Sequence, residues 1–287
     1  MRSTVKVHRF QASLFPVNAY LVETATSVVA IDATLGVSDG RAMRARADAL
    51  GKPLVGVIVT HTHPDHYGGV ASLLGGDDVP VYAVEGVDRV IRRDDAAKER
   101  ILRPMFGAEW AEKRTFPTRV VRDGDQVPLD GATFRVLDVG PSESPHDSWW
   151  LLDADGPPQA FIGDLVYNHM HAYLADGFAQ QWLSNLERPA RVLPRDAQLL
   201  MGHGEPSFDH TLFAWQAGYI RRFLTLLQMA LDEQRVQGEA LADLMCARMQ
   251  EYLPGDDLLF LLRLSVEPMR ERLIAAQAGS GPGQQGR

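Results

Sequence analysis

The sequence predicts an α/β protein with two β-sheets, helices outside them, and a helical extension at the C-terminal end. Three observations predict it. Strand-like stretches come first as a run and then alternate with helical ones; four of the short apolar strands are followed by segments bearing His or Asp; and from His210 onward the pattern turns helical.

From Val5 to about Ala33 apolar and polar residues alternate, broken by Pro16-Val17-Asn18, which reads as two or three antiparallel strands, the last over 28–32. Residues 41–50 have helical composition and stop at Gly51-Lys52-Pro53. A short buried strand is expected over 54–59, a helix from Val70, a strand over 79–84 and a charged helix over 87–101. Met105, Phe106, Trp110 and Phe116 follow in a stretch punctuated by Pro104, Gly107 and Pro117, an irregular lid or inserted helical hairpin. Strand signals return at 119–121, 133–139, 149–152, 159–162 and 198–201, with a helix ending at Trp182-Leu183-Ser184-Asn185-Leu186 between the last two. Three helices are expected beyond: 211 to about 236, 239–252 and 256 to about 278, separated by Gln237-Gly238 and Pro254-Gly255. Phe213, Ala217, Ile220, Leu224, Leu227 and Leu231 follow helical spacing, so this extension is packed. The expected organisation is one domain over 1–207, a helical subdomain over 208–278 and a disordered tail over 279–287.

At 287 residues, 45% hydrophobic and 23% charged, the chain has ample material for a core. The net charge of −8 argues against nucleic acid as the main partner, because phosphate-binding surfaces need an excess of Lys and Arg. Cys246 is the only cysteine and sits among Leu244, Met245 and Met249, which suggests a buried, inert thiol. Residues 1–11 hold no continuous apolar run, and no stretch approaches the ~18 apolar residues of a membrane span. A cytoplasmic protein with a small-molecule substrate and no membrane partner is expected; the C-terminal helices are either an oligomerisation surface, with which a homodimer is compatible, or a cap over the edge that carries the functional site.

The chemistry is carried by Thr60-His61-Thr62-His63-Pro64-Asp65-His66, set between the 54–59 strand and Gly68-Gly69. Three imidazoles and a carboxylate at one strand end serve no ordinary packing need. A metal centre explains them, because neutral imidazole and ionised carboxylate suit zinc, iron or manganese. One loop rarely completes such a site. His146 follows the 133–139 strand through Gly140-Pro141-Ser142-Glu143-Ser144-Pro145, Asp164 follows Ala160-Phe161-Ile162-Gly163, and His203 follows Leu199-Leu200-Met201-Gly202. With their strands ending on one edge, all seven side chains converge there.

His-x-His-x-Asp-His, a later His, an Asp in a Gly-Asp pair and a Gly-His near residue 203 resemble the metallo-β-lactamase superfamily over roughly residues 5–207. Asn18-Ala19-Tyr20-Leu21-Val22 and Ile31-Asp32 are similar to that fold's opening. The resemblance implies an αββα four-layer sandwich whose first domain is catalytic and binds two divalent metals, zinc first among them, with iron or manganese as alternatives. It implies His61, His63 and His146 around one metal, Asp65, His66 and His203 around the other, and Asp164 bridging both. Class B β-lactamases generally lack the bridging Asp, so the resemblance points to the glyoxalase II-like and lactonase-like members. Asp164-Leu165-Val166-Tyr167 is similar to the Asp-x-x-Tyr of the lactonases, where the Tyr hydroxyl lies by the substrate carbonyl.

The implied activity is hydrolysis of an ester, lactone or thioester, with Asp65 as metal ligand and proton carrier and Tyr167 as oxyanion donor. Asp32 and Thr60 are candidates to orient the imidazoles. The same fold also hosts mononuclear iron persulfide dioxygenases and phosphodiester hydrolases, which stand as alternatives. Met105, Phe106, Trp110, Phe116, Trp149 and Trp150 are candidates for an apolar substrate wall, with one of the two adjacent tryptophans pointing inward. His169 and His171 are expected at the surface.

Overall fold

The computed structural model describes residues 5–153, 156–233 and 236–279. A six-stranded sheet is built in chain order from β1 (Lys6–Gln11), β2 (Asn18–Glu23), β3 (Val28–Ile31), β4 (Leu54–Ile58), β5 (Val81–Val84) and β6 (Arg119–Val121). The first three strands form an antiparallel meander; from β3 to β6 the pairing is parallel. Parallel neighbours need crossovers, and these supply α1 (Val37–Asp48), α2 (Pro64–Tyr67), α3 (Val70–Leu74) and α4 (Glu85–Phe106).

The second sheet has the order β11-β10-β9-β8-β7, from β7 (Gln126–Leu129), β8 (Ala132–Gly140), β9 (Asp147–Leu152), β10 (Gln159–Tyr167) and β11 (Gln198–His203). Only its β10–β11 pair is parallel, and that crossover holds α5 (Ala179–Asn185) and α6 (Pro189–Val192).

Side-chain alternation along β9 separates its two tryptophans. Trp150 and Leu152 join Phe134, Phe161, Leu200 and residues of β2–β5 in one core, while Trp149 and Leu151 join the other. That second core includes the helices that follow: α7 (Leu212–Glu233), α8 (Gly238–Gln250) and α9 (Leu259–Gly279) contribute Phe213, Ile220, Phe223, Met245, Met249 and Leu262 against Leu137, Val139 and Met201. The result is the expected helix–sheet–sheet–helix stack, with the C-terminal helices continuous with one outer layer. Tyr20 Oη ties the sheets together by donating to Met201 O at 2.7 Å.

Three expectations need adjusting. The charged helix runs to Phe106 rather than ending near 101, so Met105 and Phe106 are helical. β10 continues past Ile162 to Tyr167, because Gly163, at φ 52, absorbs a bulge that lets the strand carry Asp164 onward. β7 and α2, four residues each, had no period long enough to read. The predicted tail over 279–287 lies outside the described residues except for Gly279, which closes α9. Among the described residues no helix is long and apolar enough to cross a membrane. Cys246 is buried in α8, where burial raises its thiol pKa, as an inert thiol requires.

Candidate metal centre

The site is assembled at the C-terminal ends of β3 and β4 and the facing ends of β8, β10 and β11. Asp32, just past β3, takes a left-handed backbone (φ 60) that an Asp tolerates better than most residues. Its carboxylate accepts from Thr60 N at 2.8 Å and Thr60 Oγ1 at 2.8 Å, and lies 2.8 Å from His66 Nδ1. The His-rich loop is thereby pinned to β3. Pro64, with its fixed φ, starts α2, which places Asp65 and His66 on the first turn immediately after His63.

These contacts fix which nitrogen each imidazole presents. Thr60 Oγ1 spends its proton on Asp32, so at 2.9 Å it accepts from His61 Nδ1 and leaves Nε2 as the free lone pair. His66 Nδ1 donates to Asp32, and His203 Nδ1 donates to Pro16 O at 2.6 Å, again freeing Nε2. His63 is reversed: Nε2 donates to Asp176 at 2.9 Å and Nδ1 faces inward.

Two groups of ligand-type atoms result. His61, His63, Glu143 and Asp164 form one, and Asp65, His66, Asp164 and His203 the other, with all atoms in each group within 4.8 Å of one another. In the first, His61 Nε2 lies 3.8 Å from Glu143 Oε2 and 3.7 Å from Asp164 Oδ2. In the second, His66 Nε2 lies 3.6 Å from Asp65 and 3.4 Å from Asp164 Oδ1, while His203 Nε2 lies 3.4 Å from Asp65 and 3.1 Å from Asp164 Oδ2. Asp164 is common to both. Gly202 beside it is a steric requirement, since a Cβ there would come 2.0 Å from Asp164 Oδ1.

His146 is the correction. Its imidazole belongs to neither group: Nε2 lies 2.7 Å from Asp138 Oδ1, and the ring covers Gly86, whose missing Cβ makes room for it. Glu143, three residues earlier, reaches the centre instead. The turn that aims it is clamped by Ser144, whose N donates to Asp147 at 2.9 Å and whose Oγ lies 2.9 Å from Thr62 Oγ1. Histidine was the stronger ligand type on that loop, and nothing in the spacing said which residue the turn would point inward.

The residues fit a pair of cations by an independent criterion. His61 Nε2, His66 Nε2, Glu143 Oε2 and Asp164 Oδ1 are buried without a hydrogen-bond partner, and such atoms are costly unless something binds them. Burial pushes the Glu143 carboxyl up to about 7 against the pull of His63. Asp164 is held well below the usual carboxylate range although burial opposes it, because His203, His66 and His61 surround it. His203 rises to about 10 against its burial, drawn by Asp164 and Asp65. Three carboxylates forced together in a dry site are the electrostatic setting that divalent cations neutralise. The set contains no thiolate.

Tyr167, at the end of β10, is buried with its ring stacked 4.8 Å from that of His203. Its hydroxyl lies 2.8 Å from Glu143 Oε1 and 3.1 Å from Asp164 Oδ2. Both groups open onto a cleft of about 320 Å³ lined by Asp65, Tyr167 and His203 at its base and by Met105 and Phe106 on one wall. Of the other aromatic wall candidates, Trp110 is buried with Nε1 donating to Glu99 at 2.6 Å, Phe116 lies under Arg92, and Trp149 and Trp150 are core. His171 is not at the surface: it is buried, with Nδ1 3.0 Å from Tyr219 Oη, while His169 packs beside Trp215.

Comparison with known proteins agrees with this geometry. Residues 12–203 match the family model of the metallo-beta-lactamase superfamily. A hydroxyacylglutathione hydrolase of Albidiferax ferrireducens is 28% identical over 210 residues, covering 73% of this chain and 68% of that one. The same enzyme of Cupriavidus metallidurans is 30% identical over 163 residues, 53% of this chain and 51% of the relative, so that match spans about half the relative's length. Among solved structures, a metallo-beta-lactamase family protein from Thermus thermophilus superposes with a TM-score of 0.66 at 20% identity, covering 96% of this chain and 94% of that one. At that identity it speaks for the fold alone. The matched segment holds every residue of the two ligand groups, and on that ground the chain belongs to the metallo-beta-lactamase superfamily.

Proposed function

We propose that this protein is a dinuclear metal-dependent hydrolase that opens an ester, lactone or thioester carbonyl. The observation that carries the reading is the pair of ligand groups sharing Asp164, with His61, His63 and Glu143 on one side and Asp65, His66 and His203 on the other. A mononuclear oxygenase needs only one such group. Zinc is our assignment for both positions, from imidazole and carboxylate donors alone; iron and manganese are chemically admissible.

Divalent cations held by these residues would supply Lewis acidity, lowering the pKa of water to ~7. The chain's own residues do the rest. Asp32, Thr60, Asp176 and Pro16 O hold the outward imidazole nitrogens, so the inward nitrogens are the ones that would give up their protons and present lone pairs to a bound cation. Asp65 is the least buried of the carboxylates in the two groups and lines the cleft, which suits it to pass a proton to the leaving oxygen or sulfur. Tyr167 has one proton and two carboxylate neighbours, so we assign it to orienting Glu143 and Asp164 in place of the oxyanion role expected from its spacing.

The names of the relatives make thioesters the first substrates to try. The test is metal analysis of the purified protein together with a panel of aryl esters, lactones, thioesters and bis(p-nitrophenyl) phosphate. About two metal equivalents and carbonyl hydrolysis abolished by chelation are expected. One iron per chain with oxygen uptake, or cleavage of the phosphodiester alone, would replace this reading.

A further inference from the structure

Two helices face each other across the mouth of the metal centre. From α4 come Ile101, Met105 and Phe106, and from α9 come Phe260 and Leu264. Ile101 is 62% exposed, Met105 67%, Phe260 47% and Leu264 58%. Single exposed apolar residues are ordinary, but four large ones gathered on both sides of one cleft form a patch that needs an occupant. Phe15, from the β1–β2 connection, carries the wall inward: its ring meets Phe260 at 5.8 Å and His203 at 5.9 Å, each edge-on. The apolar surface is therefore continuous from solvent to a residue of the metal centre.

The polar lining argues about charge. Asp65, Asp94, Asp164 and Asp176 face the cleft, and Lys98 is the only Lys or Arg among the described residues that line it. Lys98 is already engaged, donating to Thr62 O and lying 5.4 Å from the Tyr67 ring. Asp65 and Asp164 belong to the ligand groups, so the two carboxylates of a glutathione conjugate would meet Asp94, Asp176 and one committed lysine, with no free cationic side chain among the described lining residues. A neutral aliphatic chain meets a surface that gains by being covered.

We infer that the acyl part of the substrate is a medium-length aliphatic chain, lying between α4 and α9 with its carbonyl over Asp164. This inference rests on the hydrolase reading. It gives the C-terminal helices a part in the site: α9 supplies one wall of the chain's channel.

The experiment is a series of acyl thioesters of one small neutral thiol, from acetyl to decanoyl, with the glutathione thioesters alongside. We expect kcat/KM to rise about two- to fourfold per methylene up to octanoyl, and no advantage for the glutathione series. Leu264→Asn and Met105→Asn, at exposed positions, should lower the octanoyl-to-acetyl ratio at least ~10-fold, with circular dichroism confirming the fold. A flat or falling series with measurable acetyl turnover overturns the inference, as does a preference for glutathione thioesters. If no carbonyl compound is cleaved, the hydrolase reading fails separately. Calorimetric titration of the metal-loaded protein with the free acids then decides. Affinity that grows from acetate to decanoate and is lost in Leu264→Asn supports the channel, and equal affinities remove it. A dimer in sedimentation that Leu264→Asn dissociates, with the chain-length ratio unchanged, would assign the patch to a second copy and overturn the inference.

Discussion

The Glu143 carboxylate oxygen that stands 2.9 Å from the inward nitrogen of His63 also lies 3.8 Å from His61 Nε2. With Asp164 these ligand-type atoms gather within 4.8 Å of one another in a buried site, an arrangement that fits a shared cation. Glu143→Ala is therefore expected to lower metal affinity by more than the roughly 10–100-fold typical of losing an outer-shell partner, read as metal retained after dialysis against a graded chelator. Two tightly held equivalents in that variant would exclude Glu143 from the centre.

His146→Ala should behave in the opposite way. The imidazole bonds Asp138 and packs on Gly86, so its loss costs a partly buried contact of about 1 kcal/mol and leaves metal content at the wild-type level. Metal analysis of the pair Glu143→Ala and His146→Ala separates the two assignments on one loop, and loss of metal in His146→Ala sinks ours.

That loop also shows where sequence reasoning stops. The His61–His66 run was legible because its ligands lie on one short segment, where local geometry decides. Asp164 and His203 were legible because each follows an apolar strand directly. Between β8 and β9 six residues intervene, and the side chain that points inward depends on a turn held by Ser144, Asp147 and Thr62, the last from a segment eighty-two positions away. Such a turn has no periodicity. Two sheets with helices outside followed from strand and helix order and the αββα layering from the resemblance, whereas the residues that α9 brings to the cleft depend on tertiary packing that helical spacing does not encode.

Asp32 holds the backbone and hydroxyl of Thr60 and the outward nitrogen of His66 at once. Asp32→Asn keeps the shape and the tolerance for positive φ, but cannot accept all three. We expect affinity at the Asp65–His66–His203 position to fall ~10–100-fold, with the first position less affected. Stepwise metal titration followed by calorimetry measures this; unchanged affinities at both positions would show that the tautomer of His66 is set elsewhere.

Away from the centre, Glu23 is held down at about 2 by the Lys52 ammonium and then by His8, which bond its two oxygens at 2.7 and 2.8 Å. Its folded pKa lies below its unfolded value near 4.5, so its contribution to stability is full above that value and is lost as pH falls toward 2. Glu23→Gln should therefore narrow the gap between denaturation midpoints at pH 6 and pH 3. An equal gap in both proteins would mean that the Lys52 and His8 contacts do not stabilise the fold.

Tyr167→Phe isolates a single hydroxyl, because phenylalanine keeps the ring stacked on His203. In the orienting role, the loss leaves Glu143 Oε1 buried without its donor, a penalty of about 1–3 kcal/mol, and weakens the hold on Asp164 as well. The expected result is metal affinity reduced ~10–100-fold, with most of the activity restored at saturating metal. In an oxyanion role, affinity is unchanged and kcat falls by ~10²–10³ even when metal is saturating. The geometry favours the first outcome: the hydroxyl proton is committed to a carboxylate at 2.8 Å, and aiming it at a substrate oxygen requires breaking that bond. Metal titration and kcat at saturating metal, measured on the same preparation, distinguish the two directly.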